Sequence, residues 1–209
     1  AERKPWVVYS SSPDRGLDVL LECWPEIRKR VPEAELHCGY VPYYAKAAQV
    51  FDYLKPFHSK LQKQLDQDGV VNFDSLSQPE LATLYGHARV WAYPSWHTIG
   101  NAPFPEISCI SAMECQAGGC VPVCADFAAL RETVTAGTRI DRDLPEAEWR
   151  ARFVDAVVHF LTDDEAWQRE SLAGRSEWLG HDWGTVADEW EERFVACACD
   201  ACECDQVAA

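Results

Sequence analysis

The sequence predicts an α/β domain built on a parallel sheet of about six strands flanked by helices, and three observations predict it. Short apolar runs alternate with amphipathic stretches along the chain, so each strand is followed by a crossover helix. At 209 residues, 47% of them hydrophobic, the chain can bury the core of one domain. No run reaches the roughly 18 apolar residues of a membrane span, and the start Ala1-Glu2-Arg3-Lys4-Pro5 lacks a signal-peptide pattern, so a cytoplasmic location is expected.

Trp6-Val7-Val8-Tyr9 is the first strand, and Leu17, Leu20, Leu21, Trp24 and Ile27 recur at helical spacing after it. Between them lies the loop Ser10-Ser11-Ser12-Pro13-Asp14-Arg15-Gly16, in which Ser12 or Asp14 can cap the helix. Arg15 at the head of that helix is unfavourable for its dipole, which suggests that it serves a ligand. Residues 33–41 form a second strand ended by Pro42, residues 44–65 a long polar helix broken at Pro56, and Val70-Val71-Asn72-Phe73 a third strand. Ser77 with Glu80 makes a capping box for a helix to His87, and residues 89–93 form strand four, closed by Pro94-Ser95. Residues 96–103 form a polar loop whose His97 is either a ligand contact or simply solvated; the other five histidines show no metal spacing. A short helix over 126–134 and a weak strand over 137–140 precede amphipathic helices at 145–161 and 163–179, whose aromatic stripes are core, and a last helix at 183–194.

The segment 104–123, FPEISCISAMECQAGGCVPV, carries the chemistry. Pro105 and Gly118-Gly119 read as the start and stop of a buried helix over roughly 106–117, followed by the strand Val121-Pro122-Val123-Cys124. Glu106 and Glu114 stand eight apart, within about 80° of each other on a helix, so both can address one cleft. The first amides of such a helix favour a phosphate, and a carboxylate further along can accept hydrogen bonds from ribose hydroxyls. On spacing alone, two acids eight apart are also what an ordinary solvated helix shows.

Composition narrows the partners. Thirty-four acidic against 19 basic residues give a net charge of −15, which argues against a nucleic-acid surface and requires any anionic ligand to be held by local positive charge. Of ten cysteines, Cys23, Cys38, Cys109, Cys115, Cys120 and Cys124 lie in apolar segments and read as small hydrophobes rather than a disulfide scaffold.

Glu106 and Glu114 (an EX7E motif), Gln116-Ala117-Gly118-Gly119-Cys120-Val121-Pro122-Val123 and Leu130-Arg131-Glu132-Thr133-Val134 follow Ser12-Pro13-Asp14-Arg15-Gly16-Leu17-Asp18, Ser77-Gln78-Pro79-Glu80-Leu81 and Tyr93-Pro94-Ser95 in order. Together they resemble the donor-binding half of the family 4 retaining glycosyltransferases of GT-B type, over about residues 5–195. The resemblance implies a Rossmann-like half of a GT-B fold that binds a nucleoside diphosphate sugar and transfers the sugar without a metal cofactor. It implies that Ser12, Arg15 and the backbone at Ile107, Ser108, Cys109 and Ile110 hold the diphosphate and that Glu114 holds the ribose. Tyr93 and Ser95 would flank the donor, with Glu106 as the catalytic carboxylate, in contact with the sugar or with the phosphate side of the reacting centre. One departure is that Tyr9 and Ser10 stand where many members carry a second basic residue.

The resemblance also implies an acceptor-binding domain ahead of this half, so a sugar or glycoconjugate acceptor would be met through that domain and the chain alone would be inactive. A non-catalytic nucleotide-sugar-binding module, or an inactive relic with an assembly role, is the alternative. No Gly-x-Gly-x-x-Gly follows strand one, which argues against a dehydrogenase. Beyond this domain at 1–195, the segment 196–209 reads as a separate acidic tail. Its Cys197, Cys199, Cys202 and Cys204 leave two readings open: a thiolate zinc site, or a flexible tail of reduced thiols.

Overall fold

The computed structural model describes residues 2–95 and 104–204, with the side chains of 43, 44 and 198–204 outside the description. The chain divides into two units, at 1–178 and 179–209. The first is a six-stranded sheet in the order β3-β2-β1-β4-β5-β6, with every neighbouring pair parallel. Its strands are β1 (Lys4–Tyr9), β2 (Glu35–Cys38), β3 (Val70–Asn72), β4 (Ala88–Tyr93), β5 (Val121–Asp126) and β6 (Thr138–Asp141). Its helices are α1 (Leu17–Arg30), α2 (Val41–Val50), α3 (Lys55–Leu65), α4 (Gln78–His87), α5 (Ile110–Ala117), α6 (Leu130–Thr133), α7 (Glu146–Thr162) and α8 (Asp164–Trp178).

The central strands are apolar on both faces because helices cover both, as a parallel sheet requires: Val7, Val8, Val90, Trp91, Val121 and Val123 are fully buried. α1 packs on α3 and α7, while α5 packs on α4 and α8. The aromatic stripe of α7 is core, with Trp149 and Phe153 inaccessible and stacked 5.1 Å apart. Pro122 sits inside β5, an unusual place for a residue without an N–H. Pairing to β6 begins only at Val123↔Thr138, so that edge of the ladder loses nothing at Pro122. The six cysteines expected in the core are free and buried there.

Several boundaries differ from expectation. Residues 41–65 form two helices separated at Phe51, with Pro42 and Pro56 each in a first turn rather than acting as breakers. The helix expected over 126–134 shrinks to α6, and the capping box of Ser77 and Glu80 starts α4 as predicted. In the second unit, α9 (Trp183–Cys204) passes the expected end near Phe194 and continues through the first ten residues beyond it. Nothing from 195 to 204 breaks a helix, since the stretch has no glycine or proline and Ala196, Ala198 and Ala201 are strong helix formers. Among the described residues no helix is long and apolar enough to cross a membrane.

Candidate functional site

β1 and β4 end side by side, and the loops leaving them make the site. After Tyr9 the chain passes through Ser10, Ser11 and Ser12 into a 3-10 turn at Pro13–Arg15, and then Gly16 opens α1 at φ 110°. A Cβ on Gly16 would sit 2.9 Å from the Ser95 nitrogen and 3.2 Å from Pro94 Cγ, so the serine loop and the loop after β4 lie back to back only with glycine there. This left-handed glycine, not Ser12 or Asp14, starts α1; the Ser12 hydroxyl is spent on the Asp14 carboxylate inside the turn. The Tyr9 hydroxyl donates to the Ser12 carbonyl at 2.7 Å and pins the loop from below. Ser10 is buried, bonded to the Tyr85 hydroxyl at 2.6 Å and accepting from Trp91 Nε1 at 3.0 Å.

Glu106 does not belong to α5. The helix expected to begin at 106 begins at Ile110, because tertiary bonds hold the preceding segment in an irregular path. The Glu106 carbonyl accepts from the Ala129 amide at 3.1 Å. Its carboxylate, 9% exposed, accepts the Tyr93 hydroxyl at 2.6 Å and lies 3.3 Å from the Arg15 guanidinium. Arg15 also stacks over the Phe104 ring at 3.8 Å. Burial, and next the Glu106 carboxylate, push the Tyr93 phenol well above its ordinary range, so it remains a donor. The misplaced cation of the serine loop is thus joined to the first acid of the Glu-x7-Glu pair through space, 91 residues apart in sequence.

Above this joint is a cleft of about 290 Å³ lined by Ser10, Ser11, Ser12, Arg15, Tyr40 and Ser111, with Pro13 completing the wall. Of the expected diphosphate contacts, Ser12 and Arg15 line it. Ile107 and Ser108 are exposed and do not line it, Cys109 is buried with its thiol pushed up to about 12 by burial, and the Ile110 amide is occupied by the Ser108 carbonyl at 3.2 Å. Ser95 is fully buried, its hydroxyl directed at the Phe104 carbonyl at 3.4 Å, so the structure places it as a tie between loops. Glu114 stands one turn beyond Ser111 on the same face of α5, half-buried, and its carboxylate has no hydrogen bond or ion pair among the described residues. Burial alone raises its pKa. Tyr40 and Ser111 were not singled out by sequence. Tyr40 carries a left-handed backbone at φ 65° directly after β2, and only its place at a strand's carboxyl end could have flagged it.

His97 lies outside the described residues, as do the side chains of Cys199, Cys202 and Cys204. Among the described residues no group of three or more His, Cys, Asp or Glu is placed to hold a metal ion.

No family model and no curated protein matches this sequence. Solved structures do match in fold. Sucrose-phosphate synthase from Thermosynechococcus elongatus is similar at TM-score 0.68 and 19% identity, over 94% of this chain and 46% of that one. A UDP-forming α,α-trehalose-phosphate synthase from Burkholderia xenovorans is similar at 0.66 and 14%, over 93% and 44%. Anabaena HepE in complex with UDP and glucose is similar at 0.65 and 14%, over 93% and 49%. This chain spans between 34% of the GtfA/B chain and 49% of HepE. At these identities the likeness is one of fold: the six-stranded parallel sheet with its flanking helices matches one Rossmann-like half of a GT-B fold.

Proposed function

We propose that this chain is the donor-binding half of a family 4 retaining glycosyltransferase, binding a nucleoside diphosphate sugar for transfer to an acceptor held by a facing domain. The observation that carries the reading is the buried Glu106 carboxylate fastened by Tyr93 and Arg15 at the carboxyl ends of β1 and β4, the ligand side of an open parallel sheet. Arg15 and the serine cleft receive the diphosphate, the backbone at 107–109 supplies further donors, and Glu114 accepts from the ribose. As the bond to the sugar breaks, charge grows on the diphosphate, and Arg15 and the amides are the groups that stabilise it. Glu106 holds Arg15 in place and sets a negative charge beside the reacting centre. No step in this scheme draws on a metal.

The half-site supports binding without the acceptor. Titration of uridine, guanosine and adenosine diphosphates is expected to show one saturable site of micromolar to millimolar strength, on the order of 4–8 kcal/mol, with no sugar transfer by the chain alone. Positioning the acceptor contributes about 7–11 kcal/mol to such reactions, and its contacts are not in this half. Absence of binding to all three diphosphates would remove the reading; robust transfer by the chain alone would relocate the acceptor site into it. A second reading, a nucleotide-sugar-binding module without catalysis, is favoured by the Arg15–Glu106 pair, which leaves the cleft with little net positive charge. Donor hydrolysis after adding the facing domain in trans separates the two.

For the tail we propose zinc binding by Cys197, Cys199, Cys202 and Cys204. The helix α9 runs on through 197–204, about two turns and 10 Å of rise, so one tetrahedral four-thiolate site requires the last turns to unwind. Zinc addition to reduced protein should therefore lower the helical circular dichroism while about one equivalent is retained. No retained zinc settles the tail as free thiols.

A further inference from the structure

At the opposite ends of β1 and β4 lies a cavity of about 780 Å³ whose walls carry Arg3, Arg89, Arg175, Trp167, Ser171 and Asp164. Three guanidiniums against one carboxylate is a local excess of positive charge in a chain of net charge −15. Two of the three have structural partners. Arg3 donates to the carbonyls of Tyr85, Ala88 and Gly118, at 2.5, 2.7 and 2.7 Å. Arg89 donates to the Phe160 carbonyl at 2.9 Å and to Asp164 at 2.6 Å. These carbonyls belong to the ends of α4, α5 and α7, which a parallel sheet gathers at this edge. Both guanidiniums lie against the Trp167 ring, with Cζ 5.3 and 5.1 Å from its centroid.

Arg175 is different. It makes no hydrogen bond or ion pair among the described residues, although its stem runs beside Arg3: a Cβ built on Gly119 would lie 2.3 Å from Arg3 Nη2 and 3.1 Å from Arg175 Cδ. Two like charges brought together repel, and that repulsion acts on Arg3 after burial, the main cause, in lowering its pKa. A helix-capping role explains Arg3 and Arg89 but not Arg175, which has no carbonyl to cap. An anion seated between the guanidiniums would relieve the repulsion and use their remaining N–H donors.

We propose that this cavity is a second ligand site that takes a small phosphate-bearing anion, inorganic phosphate or a sugar phosphate, independently of the nucleotide cleft. β1 spans six residues between the two sites, about 20 Å at strand rise, so one ligand cannot fill both. The test is calorimetric titration of the full chain with inorganic phosphate and, separately, with glucose 6-phosphate, at constant ionic strength. One saturable site is expected for at least one of them, and tighter binding of the hexose phosphate would assign the organic ligand. Arg175 is exposed, so R175E should fold with an unchanged melting temperature and lose the site, a drop of at least about tenfold for a charge-assisted contact. R15A, in the other cleft, should keep it. Absent binding of both probes, or binding that survives R175E and disappears in R15A, overturns the proposal.

Discussion

The two ends of β1 and β4 show opposite arrangements of charge. At the carboxyl ends one guanidinium, Arg15, meets one buried carboxylate and a phenol; at the amino ends three guanidiniums gather, of which Arg3 and Arg89 meet carbonyl groups and one carboxylate while Arg175 meets neither. The polarity of the fold explains the difference. Crossover helices begin near the carboxyl edge, where their free amides already favour anions, and finish near the amino edge, where unsatisfied carbonyls draw cations. An anion site at the carboxyl edge therefore needs few cations, whereas at the amino edge most arginines are absorbed by the fold before any ligand arrives.

That contrast is most severely tested at Arg3. R3M leaves the Tyr85, Ala88 and Gly118 carbonyls without this donor, and the expected loss in urea unfolding is about 3–5 kcal/mol. A loss below about 1 kcal/mol would show that water serves these carbonyls and that the amino-edge arginines are not structural. At the other edge, R15A should lower nucleoside diphosphate affinity by about 1.5–3 kcal/mol and leave the bare nucleoside nearly unaffected. Equal weakening of both would detach Arg15 from the diphosphate.

A subtler variant sharpens the comparison. E106Q keeps an acceptor for the Tyr93 hydroxyl but cancels the charge that holds Arg15, so diphosphate binding should rise by about threefold to tenfold. Weaker binding would mean that Glu106 serves mainly to aim Arg15. The smallest effect concerns Glu114. Burial raises its pKa in the folded chain, so its favourable contribution to stability is fully present below the ordinary carboxylate range and is lost as pH rises through the raised value. E114Q should flatten the stability profile across that window. If ribose hydroxyls donate to Glu114, nucleotide binding at mildly acid pH should release a proton, readable from titrations in buffers of different ionisation enthalpy.

Much of the sheet was legible because its signals are local. Apolar runs mark β1, β3, β4 and β5, Ser77 and Glu80 mark a helix start, and Gly118-Gly119 marks a helix stop. The site was legible in membership more than in geometry. Arg15 drew attention as a cation at the wrong end of a helix, and the structure gives it Glu106 as a partner. The late start of α5 was not legible, since it depends on Ala129, Tyr93 and Arg15 pulling on Glu106 from three other segments. Arg3 and Arg175 gave no sequence signal either: a basic residue near the N-terminus and one on an amphipathic helix look solvated until the fold brings them together.

The buried thiols carry a consequence of another kind. Burial pushes Cys38, Cys109 and Cys120 up to about 12. At neutral pH these thiols stay protonated, and none is accessible, so an alkylating reagent can modify them only when the surrounding chain opens. Cys38 ends β2, Cys109 lies beside the Glu106 segment, and Cys120 sits under Arg3, its Sγ 3.3 Å from the Tyr85 carbonyl. These three of the six buried thiols therefore serve as internal stopwatches, one at the second strand, one at the carboxyl edge and one at the arginine edge. Their separate labelling rates convert local breathing into a measurable order of opening.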